Sequence, residues 1–214
     1  MQIAMDGPAG AGKSTIAKLV SERLGMTYID TGAMYRAVTL KAMELGVDLE
    51  QEASFSFVAD TEFAFEDGRI RMDGVDVSEA VRQTAVSNNV SLVSSYLSVR
   101  EALVERQQEL AAAGDVVMDG RDIGYKVLPD ADFKFFLTAS IEERAKRRHE
   151  DNLARGIASD IEQLKQEITR RDHLDTTREH SPLRPAADAI IVDTSDMTIA
   201  EVVDMITDKI REVE

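Results

Sequence analysis

The chain has no cysteine, which excludes disulfides, thiolate nucleophiles and thiolate metal sites. Its three histidines are scattered, which argues against zinc. No apolar stretch approaches the ~18 to 20 residues needed to cross a bilayer, and no basic region precedes a signal-like core. A cytoplasmic location without membrane partners is the resulting expectation. No internal repeat, low-complexity tract or long Pro/Gly-rich linker interrupts the chain. Basic residues are also in deficit: 25 Lys and Arg against 40 Asp and Glu give a net charge of −15. That balance disfavours nucleic acid as a partner, because binding it requires a basic surface. What is present, 214 residues with 43% hydrophobic content, suits one soluble domain with a real core.

Two features stand out from this background. Residues 7–15 read Gly7, Pro8, Ala9, Gly10, Ala11, Gly12, Lys13, Ser14 and Thr15. This G-x-x-x-x-G-K-[ST] pattern follows the apolar run Ile3, Ala4, Met5 and precedes a helical stripe of Ile16, Leu19, Val20 and Leu24. The glycines permit turns in which successive N–H groups point at phosphate oxygens. Lys13 supplies charge near the β- and γ-phosphates, Ser14 a hydroxyl for Mg²⁺, and the following helix its positive end. The pattern predicts a nucleoside triphosphate site, with Mg²⁺ arriving on the nucleotide. The second feature is a run of arginines, 144, 147, 148, 155, 170, 171, 178 and 184. About half suit solvated helix faces paired with Glu142, Glu143, Glu150 and Glu167. The others need a more specific reason.

Strand-like runs at Gln2–Met5, Thr27–Ile29, Val116–Met118, Phe133–Leu137 and Ala189–Val192 alternate with helical stretches. Named helices are expected over Leu97–Ala113, Ile141–Ala154, Asp160–Asp172 and Thr198–Val213. Such alternation predicts a parallel sheet covered on both faces, with ligands at the carboxyl ends of its strands. One segment breaks it. Glu62–Val77 carries hairpin signals at Asp67-Gly68 and Asp73-Gly74, predicting a docked three-stranded antiparallel insert between the second and third core strands, then helices to Ala113. The stretch around Gly156 is the candidate mobile cover.

GPAGAGKST, YIDTGAMYR (28–36), VREAL (99–103), DGRDIG (119–124), the arginine-rich helix and RRDHLDTTR (170–178) together resemble the bacterial cytidylate kinases over almost the whole chain. The resemblance implies a P-loop NTPase three-layer α/β sandwich with a five-stranded parallel core sheet, a small antiparallel β insert and a helical lid. It implies a core of residues 1–30, 114–143 and 179–214, a monophosphate-binding region of 31–113 and a lid with flanking helices of 144–178. It further implies ATP and CMP or dCMP as substrates, Mg²⁺ as cofactor and a monomer.

By resemblance, Arg36, Arg121 and Arg178 lie near the acceptor phosphate, and Arg144, Arg147, Arg148 and Arg155 form the lid over the donor. Arg100 addresses cytosine O2 and N3, Asp122 accepts from its amino group, and Ser91 adds a hydrogen bond. Arg171 and Asp175, four apart on a helix, hold the pentose, although an ordinary i,i+4 salt pair fits them equally well. Thr31 stands where the family often has serine; either hydroxyl can make the same bond. Lys13, Arg121, Arg144, Arg147 and Arg178 are the expected catalytic cations, since phosphoryl transfer depends on alignment and charge neutralisation more than on a general base. Asp119 either orients the metal's water shell or braces the phosphate loop. Three other readings stay open from the residues alone: a kinase for UMP, AMP or a hydroxyl acceptor, a GTP switch, and a binding scaffold without turnover. The switch lacks support, for no N-K-x-D and no downstream D-x-x-G is present.

Overall fold

The computed structural model describes residues 1–66, 68–154 and 156–212. Asp67 of the expected first hairpin turn and Arg155 of the expected lid lie outside the described residues. Strand β1 (Gln2–Asp6) leads into helix α1 (Lys13–Leu24), and β2 (Thr27–Asp30) runs directly into α2 (Thr31–Leu45). An insert of β3 (Phe63–Glu66), β4 (Arg69–Met72) and β5 (Val75–Asp76) follows, then α3 (Thr84–Val93) and α4 (Leu97–Ala112). Strand β6 (Val116–Gly120), a π-helical turn at Ile123–Val127, β7 (Phe133–Thr138), α5 (Ile141–Ala154), α6 (Ile161–Thr177), β8 (Ile190–Asp193) and α7 (Ile199–Arg211) complete the chain.

The five core strands are all parallel, in the order β2-β6-β1-β7-β8. Alternation along β1 shows why both faces need cover. Ile3 and Met5 join Ile16 and Val20 of α1 and Val202 and Ile206 of α7, whereas Ala4 points the other way with Val104 of α4 and Ile123. The result is a helix–sheet–helix sandwich. Because β1 leads out to β2 on one side while β7 lies on its other side, the chain reverses its direction of winding at the carboxyl end of β1. Ligands settle in the crevice such a reversal creates.

The insert is the predicted antiparallel sheet, ordered β3-β4-β5. Asp73 and Gly74 both take positive φ, 50° and 78°, the conformation a tight two-residue hairpin requires. Ile70, Met72 and Val77 pack with Met34 and Val38 of α2 and Val86 of α3, so the insert docks on the core's flank. Two helices differ from the sequence expectation. Helix α6 runs on to Thr177, where the strand-favouring threonines turn their hydroxyls back onto the helix, Thr176 to Asp172 O at 2.7 Å and Thr177 to His173 O at 2.6 Å. Helix α2 was absent from the named helices because it lacks a clean stripe: nine of its residues are buried, several on every side.

Candidate functional site

At the end of β1 the chain turns through Gly7, Gly10 and Gly12 with φ of 147°, 79° and 85°, as a phosphate-cradling loop demands. Gly12 caps α1 in the left-handed region, so Lys13 opens the helix. A Cβ on Gly7 would lie 2.0 Å from the backbone oxygen of Leu137. Gly7→Ala should therefore displace the loop and cost about 2 to 3 kcal/mol of strain, or about 5 to 10 °C in melting temperature at this size. Thermal unfolding with and without ATP measures it, and the variant's gain on adding ATP should shrink.

Lys13 is 5% exposed and its Nζ donates to Pro8 O at 2.7 Å. Burial first, then the charges of Arg121 and Arg171, push its ammonium down to about 7, against the pull of Asp119 and Asp6. Ser14 Oγ donates to Asp119 Oδ2 at 2.8 Å, and Tyr28 OH to Asp119 Oδ1 at 2.9 Å. Burial above all, with Asp30 adding to it, raises Asp119 to about 6. Of the two roles expected for Asp119, bracing the loop is thus visible. Among the described residues no cluster of three or more His, Cys, Asp or Glu could hold a metal alone. The Ser14 hydroxyl and the Asp119 carboxylate do offer hard oxygen donors next to Lys13, which suits Mg²⁺ shared with phosphates better than an all-protein cage.

The carboxyl ends of β2 and β6 build the opposite wall. Asp30 caps α2 by accepting from Ala33 N at 2.8 Å and from Arg36 Nη2 at 2.9 Å. Thr31 donates to Asp119 O at 2.7 Å, tying β2 to β6. Arg121 Nε donates to Asp175 Oδ2 at 2.9 Å. Burial alone would raise Asp175, but Arg121 and Arg171 outweigh it and hold the carboxyl below its ordinary value. The expected Arg171–Asp175 pair is therefore one side of a larger cluster: Arg121 makes the hydrogen bond and Arg171 contributes charge. Burial, reinforced by Arg121, lowers Arg171 to about 10. Nε of Arg36, Nε of Arg171 and Nη2 of Arg178 are buried without a hydrogen-bond partner among the described residues. Three orphaned guanidinium donors in one place are costly without an anion to receive them.

Deeper in this wall, Arg100 and Asp122 are hydrogen-bonded to each other, with side chains 4% and 5% exposed. Arg100 Nη1 also donates to Ser94 O at 3.1 Å, and its guanidinium lies 5.3 Å from the centroid of the Tyr35 ring. The two residues expected to read a base edge are thus one buried unit. Arg178 reaches the same place, its Nη2 3.9 Å from Asp122 Oδ1. The sequence reading expected Arg178 near the acceptor phosphate; its guanidinium lies beside Asp122. Ser91 lines the cavity from α3.

On the third side, Arg147 holds Thr194 through its Oγ1 at 3.1 Å and its carbonyl at 2.6 Å, while Thr194 Oγ1 reaches Ala11 O at 3.4 Å. Arg147 and Arg148 line the cavity. Arg144 differs from expectation. It is 4% exposed and its fork is filled by Ala139 O at 3.0 Å, Ala9 O at 3.1 Å and both oxygens of Asp172 at 3.0 and 2.6 Å. It joins the phosphate loop to α6 as a brace. Arg184 stacks over Tyr125 at 4.6 Å, as a surface arginine does.

One cavity of about 1170 Å³ joins all three walls, from Gly10 and Lys13 through Arg36 and Arg121 to Asp122 and Arg178. A drug-sized ligand takes roughly 300 to 1,000 Å³; this cavity can hold two linked polyanions. Sequence reading missed Asp6, Tyr28, Tyr35 and Thr194. Tyr28 and Tyr35 had a signal, since YIDTGAMYR contains both; Asp6 and Thr194 act through contacts that no local pattern encodes.

The family model described as cytidylate kinase matches residues 3–212. A cytidylate kinase of Geobacillus kaustophilus is 52% identical over 99% of this chain and 97% of its own length. One of Listeria monocytogenes is 53% identical over 95% and 93%. Among solved structures, a shikimate kinase of Bacteroides thetaiotaomicron superposes with a TM-score of 0.50 at 13% identity, over 99% of this chain and 98% of that one, a likeness of fold alone.

Proposed function

The chain belongs to the cytidylate kinase family, and on that premise we propose that it transfers the γ-phosphoryl group of ATP to CMP or dCMP, giving ADP and CDP or dCDP. The observation that carries this reading is the single cavity with the glycine loop and Lys13 at one end and the buried Arg100–Asp122 unit at the other. Cytosine presents acceptors at O2 and N3 and a donor at its amino group. Arg100 can serve the first two and Asp122 the third.

The glycine loop cradles the donor's phosphates and Lys13 leaves Pro8 O to meet them. Ser14, with Asp119 hydrogen-bonded to it, would hold a Mg²⁺ ion arriving on the nucleotide, which would supply charge neutralisation. Arg36, Arg121 and Arg171 take the acceptor phosphate and pentose with Asp175, and Thr31 fixes the entry of α2. An oxygen of the CMP phosphate, already anionic at neutral pH, attacks the γ-phosphorus as the bond to the ADP oxygen breaks. No general base is needed. Residues 31–113 form the acceptor region and 144–178 the lid with its flanking helices, whose Arg147 and Arg148 close on the transferring group while Arg144 keeps loop and lid in register. Closure excludes the water that would otherwise take the phosphoryl group.

Incubation with Mg-ATP and CMP should release ADP and CDP one for one, dCMP should substitute, and ADP should barely form without acceptor or after EDTA. ADP release at the same rate with and without CMP would overturn the assignment.

A further inference from the structure

The strand that feeds the phosphate loop ends in a buried carboxylate that the scheme above leaves without a task. Asp6 is 3% exposed and stands directly before Gly7. Its Oδ1 accepts from the N–H of Ile123 and its Oδ2 from the N–H of Gly124, both at 2.8 Å. Those amides begin the π-helical turn whose cap is Asp122. The turn closes on the Asp122 carbonyl, which accepts from Lys126 N at 2.9 Å and Val127 N at 3.4 Å. One carboxylate from β1 therefore grips, with both oxygens, the segment that presents Arg121 and Asp122. Gly120, paired with Asp6 across the sheet, is too confined to absorb movement: a Cβ there would lie 2.6 Å from Thr31 Oγ1 and 2.7 Å from Ile123 Cδ1.

We propose that Asp6 is a positioning residue for acceptor recognition, setting Asp122 and Arg121 against Arg100 and the phosphate loop and thereby determining selectivity for the cytosine edge without touching either nucleotide. The proposal rests on the cytidylate kinase reading above. A buried carboxylate is expensive unless its hydrogen bonds are made, and burial indeed pushes Asp6 up to about 7 against the pull of the two N–H groups. Both oxygens are used on one segment, so the arrangement fixes the segment's rotation as well as its distance. An asparagine of the same size can accept from one N–H only and turns an NH₂ toward the other, leaving a buried donor facing a donor.

The test is steady-state kinetics of Asp6→Asn with CMP, UMP and ATP beside the wild type, with thermal melting to select a temperature at which the variant is folded. The KM for CMP should rise about tenfold and the preference for CMP over UMP in kcat/KM should fall several-fold, with the KM for ATP within about twofold of wild type. A second variant, Gly124→Ala, keeps both N–H groups and the carboxylate but adds a methyl 3.3 Å from Lys134 Cδ and 3.4 Å from both Ala186 Cβ and Asp6 Oδ2, crowding the same turn. It should move the same two quantities in the same direction, to a smaller degree, and it decides the matter if Asp6→Asn does not fold. A lowered melting temperature with the KM for CMP and the CMP/UMP ratio at wild-type values would overturn the proposal, as would a shift in the KM for ATP alone. A wild-type enzyme without preference for CMP would instead overturn the functional reading on which it rests.

Discussion

Lys13→Ala should lower kcat by about 10²- to 10³-fold, the loss expected when one preorganised charge donor is removed from a developing polyanion. The lysine does little for the fold: its Nζ makes a hydrogen bond to Pro8 O at 2.7 Å, and it is held at a cost. Burial and the neighbouring Arg121 and Arg171 charges push it down to about 7. Deleting it removes cationic repulsion, so the variant should melt at or above the wild-type temperature while losing turnover. That opposition of signs separates a catalytic role from a structural one. Rates measured with saturating CMP, beside a melting curve, check it. A loss under tenfold, or a loss explained by unfolding, would place the transferring group elsewhere.

Asp122→Ala should produce the second large effect, and here fold and function suffer together. The carboxylate is hydrogen-bonded to Arg100 inside the protein, the two side chains 5% and 4% exposed. Removing one partner of a buried pair leaves the other charge uncompensated, typically at about 3 to 5 kcal/mol. The cytosine amino group also loses its acceptor. In the wild type, uracil would set its carbonyl against Asp122, a mismatch of about 1 to 3 kcal/mol, or about one to two decades in kcat/KM. The variant has no acceptor to mismatch, so its activity with CMP should fall far more than with UMP and the ratio should approach one. Initial rates with both acceptors, taken well below the lowered melting temperature, measure both parts. Retention of the wild-type ratio would remove Asp122 from base reading.

The parts of this site that the sequence announces are those built from neighbouring residues. GPAGAGKST states its own conformation, because glycines at 7, 10 and 12 allow the positive φ values of the loop, and Asp73-Gly74 does the same for a hairpin. Apolar runs placed four core strands to within one residue at each end. Only β6, expected over Val116–Met118, runs on two residues to Gly120, the glycine that begins the Gly120-Arg121-Asp122 turn. Long-range pairing is another matter. The partnership of Arg121 with Asp175 spans 54 residues and that of Asp6 with Ile123 spans 117. Neither has a periodicity, since one depends on where the turn after β6 meets α6 and the other on where that turn meets the end of β1. For the same reason Arg144 reads from sequence as one more lid cation, whereas its contacts with Ala9, Ala139 and Asp172 make it a strut. Helix α2 hid its boundaries because burial on several sides erases the stripe that marks an amphipathic helix.

The central claim is that a cytosine-reading pocket and a triphosphate cradle open into one cavity and exchange a phosphoryl group there. Transfer of label from γ-labelled Mg-ATP to an equimolar mixture of CMP and UMP addresses it most directly. Label should appear in CDP at least about tenfold above UDP, with little in inorganic phosphate. Equal labelling of the two diphosphates, or release of the label to water, would contradict the account.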